Sequence, residues 1–246
     1  MFLVKIEFLQ LEDSSVGLIE PDSAINNIPS WFKKTRPLKF LKSSSREDLT
    51  IKKCIPVLDA FTSGYYLKTM VDINYSVNEK YRKSEFSFKL KDTNNAKLIT
   101  MHPFEQIDQL PLDGEYYDHA YKWSNPFVIN TPPGYSCLFT QPFNQTLPFY
   151  TLSGVVDTDT YPLAVQFPFL MRKGFSGTIK SGTPIVQIIP FKRDEWEMEL
   201  IKNPDKEIIY KHSEATELIE ASRFDDKGNV SGGFYKKMYR KIKRFK

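Results

Sequence analysis

The sequence predicts a mainly β protein with one C-terminal helix and a basic tail, and three observations support this. Residues 84–193 consist of short apolar or alternating runs bounded by Gly, Pro, Asn and Asp, which is strand patterning. After Arg193 the period changes, and Ile208, Ile209, Ala215, Leu218 and Ile219 recur at roughly helical spacing. The composition, 41% hydrophobic and 14% aromatic with only 11 Gly in 246 residues, excludes disordered and fibrous classes and provides enough apolar side chain for a sizeable core.

In chain order, residues 2–9 alternate like a strand. Lys5 and Glu7 interrupt the apolar run, so it lacks the continuous apolar region of a signal peptide. The turn-rich passage that follows carries Pro29, Trp31, Phe32 and Pro37 and predicts an extended arm whose aromatics pack on another element. Residues 53–61 have helical potential, 65–77 form a β-rich run, and 78–82 read as a turn. In "SEFSFKLKD", Phe86, Phe88 and Leu90 share one face. Further strands are expected at 127–130, 135–140, 155–157, 163–169, 177–180 and 184–190. "DGEYYDHAY", with Asp113, Glu115, Asp118 and His119, reads as a solvated acidic loop lacking the alternating oxygen ligands of a calcium site. A helix is expected within 204–222, with Asn203 able to cap and Pro204 suited to the first turn. The domain organisation is then an N-terminal strand and Pro-rich arm (1–50), a β core (51–193), a C-terminal helical segment (194–224), and a linker with a basic amphipathic tail (225–246).

Net charge is +4, yet the tail alone contributes seven basic residues: Lys236, Lys237, Arg240, Lys241, Lys243, Arg244 and Lys246. On a helical wheel Tyr235, Met238, Tyr239, Ile242 and Phe245 form one stripe among them. Such a tail can meet an acidic protein, a membrane surface or nucleic-acid phosphates, or serve as a flexible solubilising end. Cys54 and Cys137 read as buried thiols rather than a disulfide framework. The three histidines are isolated from one another, so no zinc site is expected, and no cofactor motif is present. No stretch is long and apolar enough to span a bilayer. The expectation is a soluble protein, intracellular where it is made.

Two acids one residue apart, Asp157 and Asp159, stand out in "SGVVDTDTYPLAVQFPF". They fit either a turn, in which Asp side chains bond nearby amides, or a general acid/base site. No cation lies near them in sequence.

Gly154-Val155-Val156-Asp157 with Tyr161, the run from Gly182 through Gln187 to Ile189, and "TPPGYSCLF" together resemble the C-terminal half of the deoxyuridine triphosphatase and deoxycytidine triphosphate deaminase family over residues 132–191. The resemblance implies a β-clip or jelly-roll-like core, often trimeric. It also implies that Asp157 orients the attacking water, with Asp159, Tyr161 and Gln187 as further candidates. The chain departs from that family in having one extra residue before Tyr161, and "QPFNQT" where the family has an Arg-Ser phosphate segment. Over residues 50–197 the order "KKCIPVLDAFTSGYY", "KWSNPFVINTPPGYSCLFTQPFN", "GVVDTDTY" and "SGTPIVQIIPFKRDEW" is similar to an uncharacterised family of tailed phages, which implies a viral source. The aromatic-proline motifs "PSWF", "WSNPF", "QPFN" and "FPF" fit either core packing or a subunit interface. The combined expectation is a non-enzymatic phage protein, homo-oligomeric and associated with other virion proteins, with nucleic acid as a further partner through the tail. The alternative is a divergent nucleotide-binding protein or hydrolase of the deoxyuridine triphosphatase type.

Overall fold

The computed structural model describes residues 4–10, 19–43, 46–78, 83–88, 98–107, 109–111 and 114–221. The protein is mainly β, with antiparallel sheets and one C-terminal helix. It divides into two compact units, each made of two stretches of chain: Met1–Asn27 with Gly64–Asp194, and Ile28–Ser63 with Glu195–Lys246.

The larger unit contains β1 (Glu7–Gln10), β2 (Asp22–Ser23), then, after the two strands of the smaller unit, β5 (Tyr65–Lys68), β6 (Ile73–Asn78), β7 (Lys83–Phe88), β8 (Ile99–Met101), β9 (Tyr116–Trp123), β10 (Phe127–Asn130), β11 (Tyr135–Thr140), β12 (Phe149–Thr151), β13 (Gly154–Val156), β14 (Phe167–Arg172), β15 (Gly177–Ile179) and β16 (Pro184–Lys192). A five-stranded sheet runs β13-β11-β16-β5-β2, a four-stranded sheet β12-β14-β9-β8, a three-stranded sheet β15-β6-β7, and β1 pairs with β10. Inward residues of these sheets meet in one core: Cys137, Phe139 and Ile188 from the five-stranded sheet, Trp123, Phe149 and Phe169 from the four-stranded sheet, and Ile73, Tyr75 and Ile179 from the three-stranded sheet. Trp123 stacks on Phe169 with ring centroids 4.0 Å apart. Burial of such rings dominates the energetics of a β core.

Three expectations need correction here. The acidic loop expected at 113–119 is a strand from Tyr116 onward, hydrogen-bonded between β14 and β8; Asp113 and Leu90 lie outside the described residues. Its aromatics favour the pleat, while Asp118 points to solvent. The strand expected at 163–169 starts at Phe167 and runs to Arg172, because the Asp157 carbonyl closes a turn onto the amides of Thr160 and Tyr161, and Pro162 follows. The run at 65–77 breaks into β5 and β6. Between them the Thr69 hydroxyl donates to the Lys180 carbonyl at 2.7 Å, and the Thr69 amide to the Thr183 carbonyl at 2.9 Å.

In the smaller unit, residues 30–34 form a short helix, α1 (Ser30–Lys34), where an extended arm was expected. Pro29 supplies an extended entry at φ −55° and ψ 141°. The helix forms because Trp31 and Phe32 bury their edges against Phe61, with Phe32–Phe61 centroids 5.0 Å apart. Lys52 caps its C-terminal end, donating to the Phe32 and Lys33 carbonyls at 2.7 and 3.2 Å, as a cation at that end should. The unit also holds the hairpin β3 (Leu38–Leu41) and β4 (Arg46–Leu49), then α2 (Ile55–Thr62), which carries Phe61, and α3 (Lys206–Ala221). Cys54 is half-buried rather than buried, whereas Cys137 is fully buried and its thiol pKa is pushed up by that burial. Among the described residues no helix is long and apolar enough to cross a membrane.

Candidate functional site

Asp157 and Asp159 sit on a bend that follows edge strand β13. Register fixes what they face. Cys137 pairs with Val156, so the next position along β11, Ser136, lies against Asp157, and its hydroxyl donates to Asp157 Oδ1 at 2.6 Å. Tyr135 pairs with Lys192, so the residue after β16, Arg193, reaches the same corner, and its amide donates to the Gly134 carbonyl at 2.8 Å. The Arg193 guanidinium then forks across both acids. Nη1 lies 2.9 Å from Asp159 Oδ1 and 3.0 Å from Asp157 Oδ1, and Nη2 donates to Asp159 Oδ2. Nη1 also donates to the Ser136 hydroxyl at 2.9 Å, and the Gly134 amide donates to Asp159 Oδ2 at 2.8 Å.

The electrostatics follow from this geometry. Hydrogen bonds from Arg193, and then from the Gly134 amide, hold the Asp159 carboxyl below the usual range, and Asp159 in turn raises the Arg193 pKa. The Asp159 side chain is 5% exposed and that of Asp157 60% exposed, so the first is a clamp and the second reaches solvent. Between them Thr158 is buried and bonds the Thr131 hydroxyl at 2.7 Å. One cation serving two carboxylates leaves the corner anionic, which is the wrong sign for a triphosphate.

The other sequence-derived candidates separate from this corner. The Tyr161 ring is exposed at 41%, while its amide donates to the Asp157 carbonyl at 2.9 Å. Gln187 is fully buried four residues before Phe191, the partner of Ser136. Its Oε1 accepts from the Phe143 amide at 3.1 Å and the Tyr66 hydroxyl at 3.3 Å. Burial pushes the Tyr66 pKa up to about 12. The "QPFNQT" loop is thereby fastened to the sheet: the Thr151 amide donates to Gln141 Oε1 at 2.8 Å, and Gln145 Nε2 to the Tyr66 hydroxyl at 3.4 Å. The tail residues Lys236, Lys237, Arg240, Lys241, Lys243 and Arg244 lie outside the described residues. Sequence reasoning missed Arg193 and Ser136, which stand 57 positions apart and meet only through the β11–β16 register.

Clefts lie elsewhere among the described residues of this unit. One of about 580 Å³ rests on the outer face of the four-stranded sheet, floored by Leu170 and walled by Leu110, Tyr116, Tyr150 and Leu152. At its rim Arg172 lies 5.5 Å over the Tyr116 ring. The other, about 500 Å³, follows β1 past Glu7, Leu9 and Phe127. Asp157, Asp159 and Arg193 line neither. Among the described residues no group of three or more His, Cys, Asp or Glu side chains is placed to hold a metal ion.

Among the described residues the most exposed large apolar side chains lie in the segment that follows Asp194. "EWEMEL" is an irregular, non-helical stretch in which Trp196, Met198 and Leu200 alternate with Glu195, Glu197 and Glu199, and they are 89%, 89% and 73% exposed. Helix α3 follows, and among its described residues Ala215 is the most covered. The chain matches no protein-family model, no curated protein and no solved structure.

Proposed function

We propose that this chain is a non-enzymatic assembly protein of a tailed phage, a homo-oligomer made in the host cytoplasm and built into the virion through the exposed segment after Asp194. The observation that carries the reading is the triplet Trp196, Met198 and Leu200, each at least 73% exposed at alternate positions. Isolated exposed apolar residues are ordinary, but a contiguous large apolar row marks a surface awaiting a partner. Period-two alternation of apolar and acidic residues is the pattern by which an added strand seats one face in a groove and leaves the other wet. The phage source rests on the resemblance of residues 50–197, and the β-clip or jelly-roll character of the core on that of residues 132–191. The basic tail adds nucleic-acid phosphates as a further partner.

Sedimentation of the purified chain and mass spectrometry of purified particles test this. The expected result is an oligomer, a trimer included, present at high copy in the particle. A monomer absent from particles refutes the reading.

One observation favours the second reading, a divergent hydrolase of the deoxyuridine triphosphatase type: Asp157 is 60% exposed beside a guanidinium. Against it, that guanidinium is already shared by two carboxylates. Incubation with the four deoxynucleoside triphosphates separates the readings. Turnover lost in Asp157→Asn supports the hydrolase, and no turnover supports assembly.

A further inference from the structure

Residues 28–63 carry eight bases against three acids, and locally the imbalance is sharper. Residues 24–46 hold six bases and no acid, and residues 49–58 hold two more bases and again no acid. Of the three acids, Asp59 is buried, and Glu47 and Asp48 stand on β4 opposite Phe40 and Lys39.

The fold lays these two stretches side by side. The Thr50 amide donates to the Pro37 carbonyl at 3.0 Å and its hydroxyl to the Arg36 carbonyl. Thr50 also caps the 3-10 turn Ile51–Lys53, and from that turn Lys52 crosses to the Phe32 and Lys33 carbonyls. Lys33, Lys34, Arg36 and Lys53 are thereby gathered at one corner, beyond the C-terminal end of α1. Lys52 already satisfies the carbonyls of that helix end, so the other four cations have no capping task there. All four are exposed, and none forms an ion pair among the described residues.

The same corner presents a ring. Trp31 is fixed by edge-to-face contacts with Phe32 and Phe61, centroids 5.6 and 5.7 Å apart, yet it stays 42% exposed. Cations gathered without counter-charge repel one another, and a phosphate backbone relieves that repulsion while releasing its own condensed counterions. An exposed aromatic ring beside such cations offers a base a surface to stack on. Cations for the backbone and rings for the bases are the two parts of a platform for single strands.

We propose that the corner formed by Trp31, Lys33, Lys34, Arg36 and Lys53 binds single-stranded nucleic acid, the four cations taking phosphates and the indole a base. The site is separate from the basic tail and does not depend on the assembly reading above.

The test titrates the full chain into labelled oligodeoxythymidine of about twelve nucleotides, read by fluorescence anisotropy between about 50 and 200 mM salt. The corner variant carries Lys33→Gln, Lys34→Gln, Arg36→Gln and Lys53→Gln. A control of the same net charge carries Lys122→Gln, Lys173→Gln, Lys202→Gln and Lys206→Gln. Each phosphate contact on a single strand adds about 0.7 to the slope of log affinity against log salt. The corner variant is therefore expected to lose about 3 units of slope and to bind at least about ten-fold more weakly, while the control keeps the wild-type slope to within about one unit. Both variants retain the tail, so its contribution cancels between them. Stacking is read separately. An abasic strand with the same phosphates should bind wild type at least about five-fold more weakly than oligodeoxythymidine, and Trp31→Leu, which keeps an apolar side chain against Phe61, should remove that difference. Equal slopes for the corner variant and the control, or no binding by the wild-type chain, would overturn the site. Binding to heparin or to the abasic strand as tight as to oligodeoxythymidine would overturn its assignment to single strands.

Discussion

Replacing Gly64 by alanine, with Gly134→Ala as its control, isolates how closely β5 and β16 are fitted. Both glycines have positive φ, +72° and +84°, so alanine at either position adopts a left-handed conformation. That costs about 1–2 kcal/mol, of which about 0.4–1 is offset because alanine restricts the unfolded chain. Gly134 has nothing within 4 Å of an added Cβ, so its net cost is about 1 kcal/mol. At Gly64 the Cβ would lie 1.9 Å from the Ile188 carbonyl oxygen, and reaching the ordinary 3.4 Å means a retreat of 1.5 Å by backbone, not by a flexible side chain. The retreat strains the Tyr65–Ile188 rung and the bond from the Ala24 amide to the Gly64 carbonyl at 2.9 Å. Each is worth about 1 kcal/mol. It also loosens Tyr66 and Ile188, both fully buried, at about 1–3 kcal/mol. The expected total is about 4–6 kcal/mol, a large share of a typical domain's stability of about 5–15 kcal/mol. Urea titration monitored by near-ultraviolet circular dichroism reads this as a midpoint lowered by about 1–3 M for Gly64→Ala and by less than about 1 M for Gly134→Ala. Equal midpoints for the two variants would refute the reasoning.

Three further outcomes are expected. Arg193→Gln removes the cation that depresses the Asp159 pKa; a depressed acid contributes stability above its ordinary value of 3.8 and loses it as pH falls through the lowered one. The gap in urea midpoint between wild type and variant is therefore full at neutral pH and closes in acid, and a gap that persists below the acid range would contradict the clamp. Tyr66, raised to about 12, favours the folded state below the unfolded tyrosine value of 10 and loses that contribution as pH rises to about 12. Burial raises the Tyr121 pKa as well, so absorbance at alkaline pH should show late tyrosine ionisation whose amplitude Tyr66→Phe reduces. Trp196→Asp changes a side chain 89% exposed, so thermal unfolding of the body should shift by less than about 0.5 kcal/mol while association measured by sedimentation falls.

The sequence yields some of this structure directly and conceals the rest for physical reasons. β10, β11 and β16 were legible because each is a short apolar run bounded by Pro, Gly or Asn, and α3 because its period changes after Arg193. β9 was hidden by Asp118, which is exposed near its start, although Ala120, Tyr121 and Trp123 further along are buried. α1 was hidden because its propensity is poor and its cause, Phe61, lies some thirty positions away. Asp157 and Asp159 were legible as a pair but their partner was not. Arg193 joins them only because β13 and β16 flank β11 in a given register, and nothing in the local sequence encodes that register.

The route of the chain between β2 and β5 carries one more consequence. The two strands are neighbours, joined by the register of Asp22 with Tyr66 and by the clamp in which Asn26, Lys68 and Asn27 hold Asp22 at a pKa of about 2. Yet 41 residues separate Ser23 from its partner Tyr65 in sequence, and most of them, residues 28–63, belong to the other unit. An excursion that leaves and returns across a single strand pair is a natural graft site. Its length can change, or its contents be exchanged for those of another module, at the modest entropic cost of a longer or shorter loop, while the host sheet keeps its stitching intact.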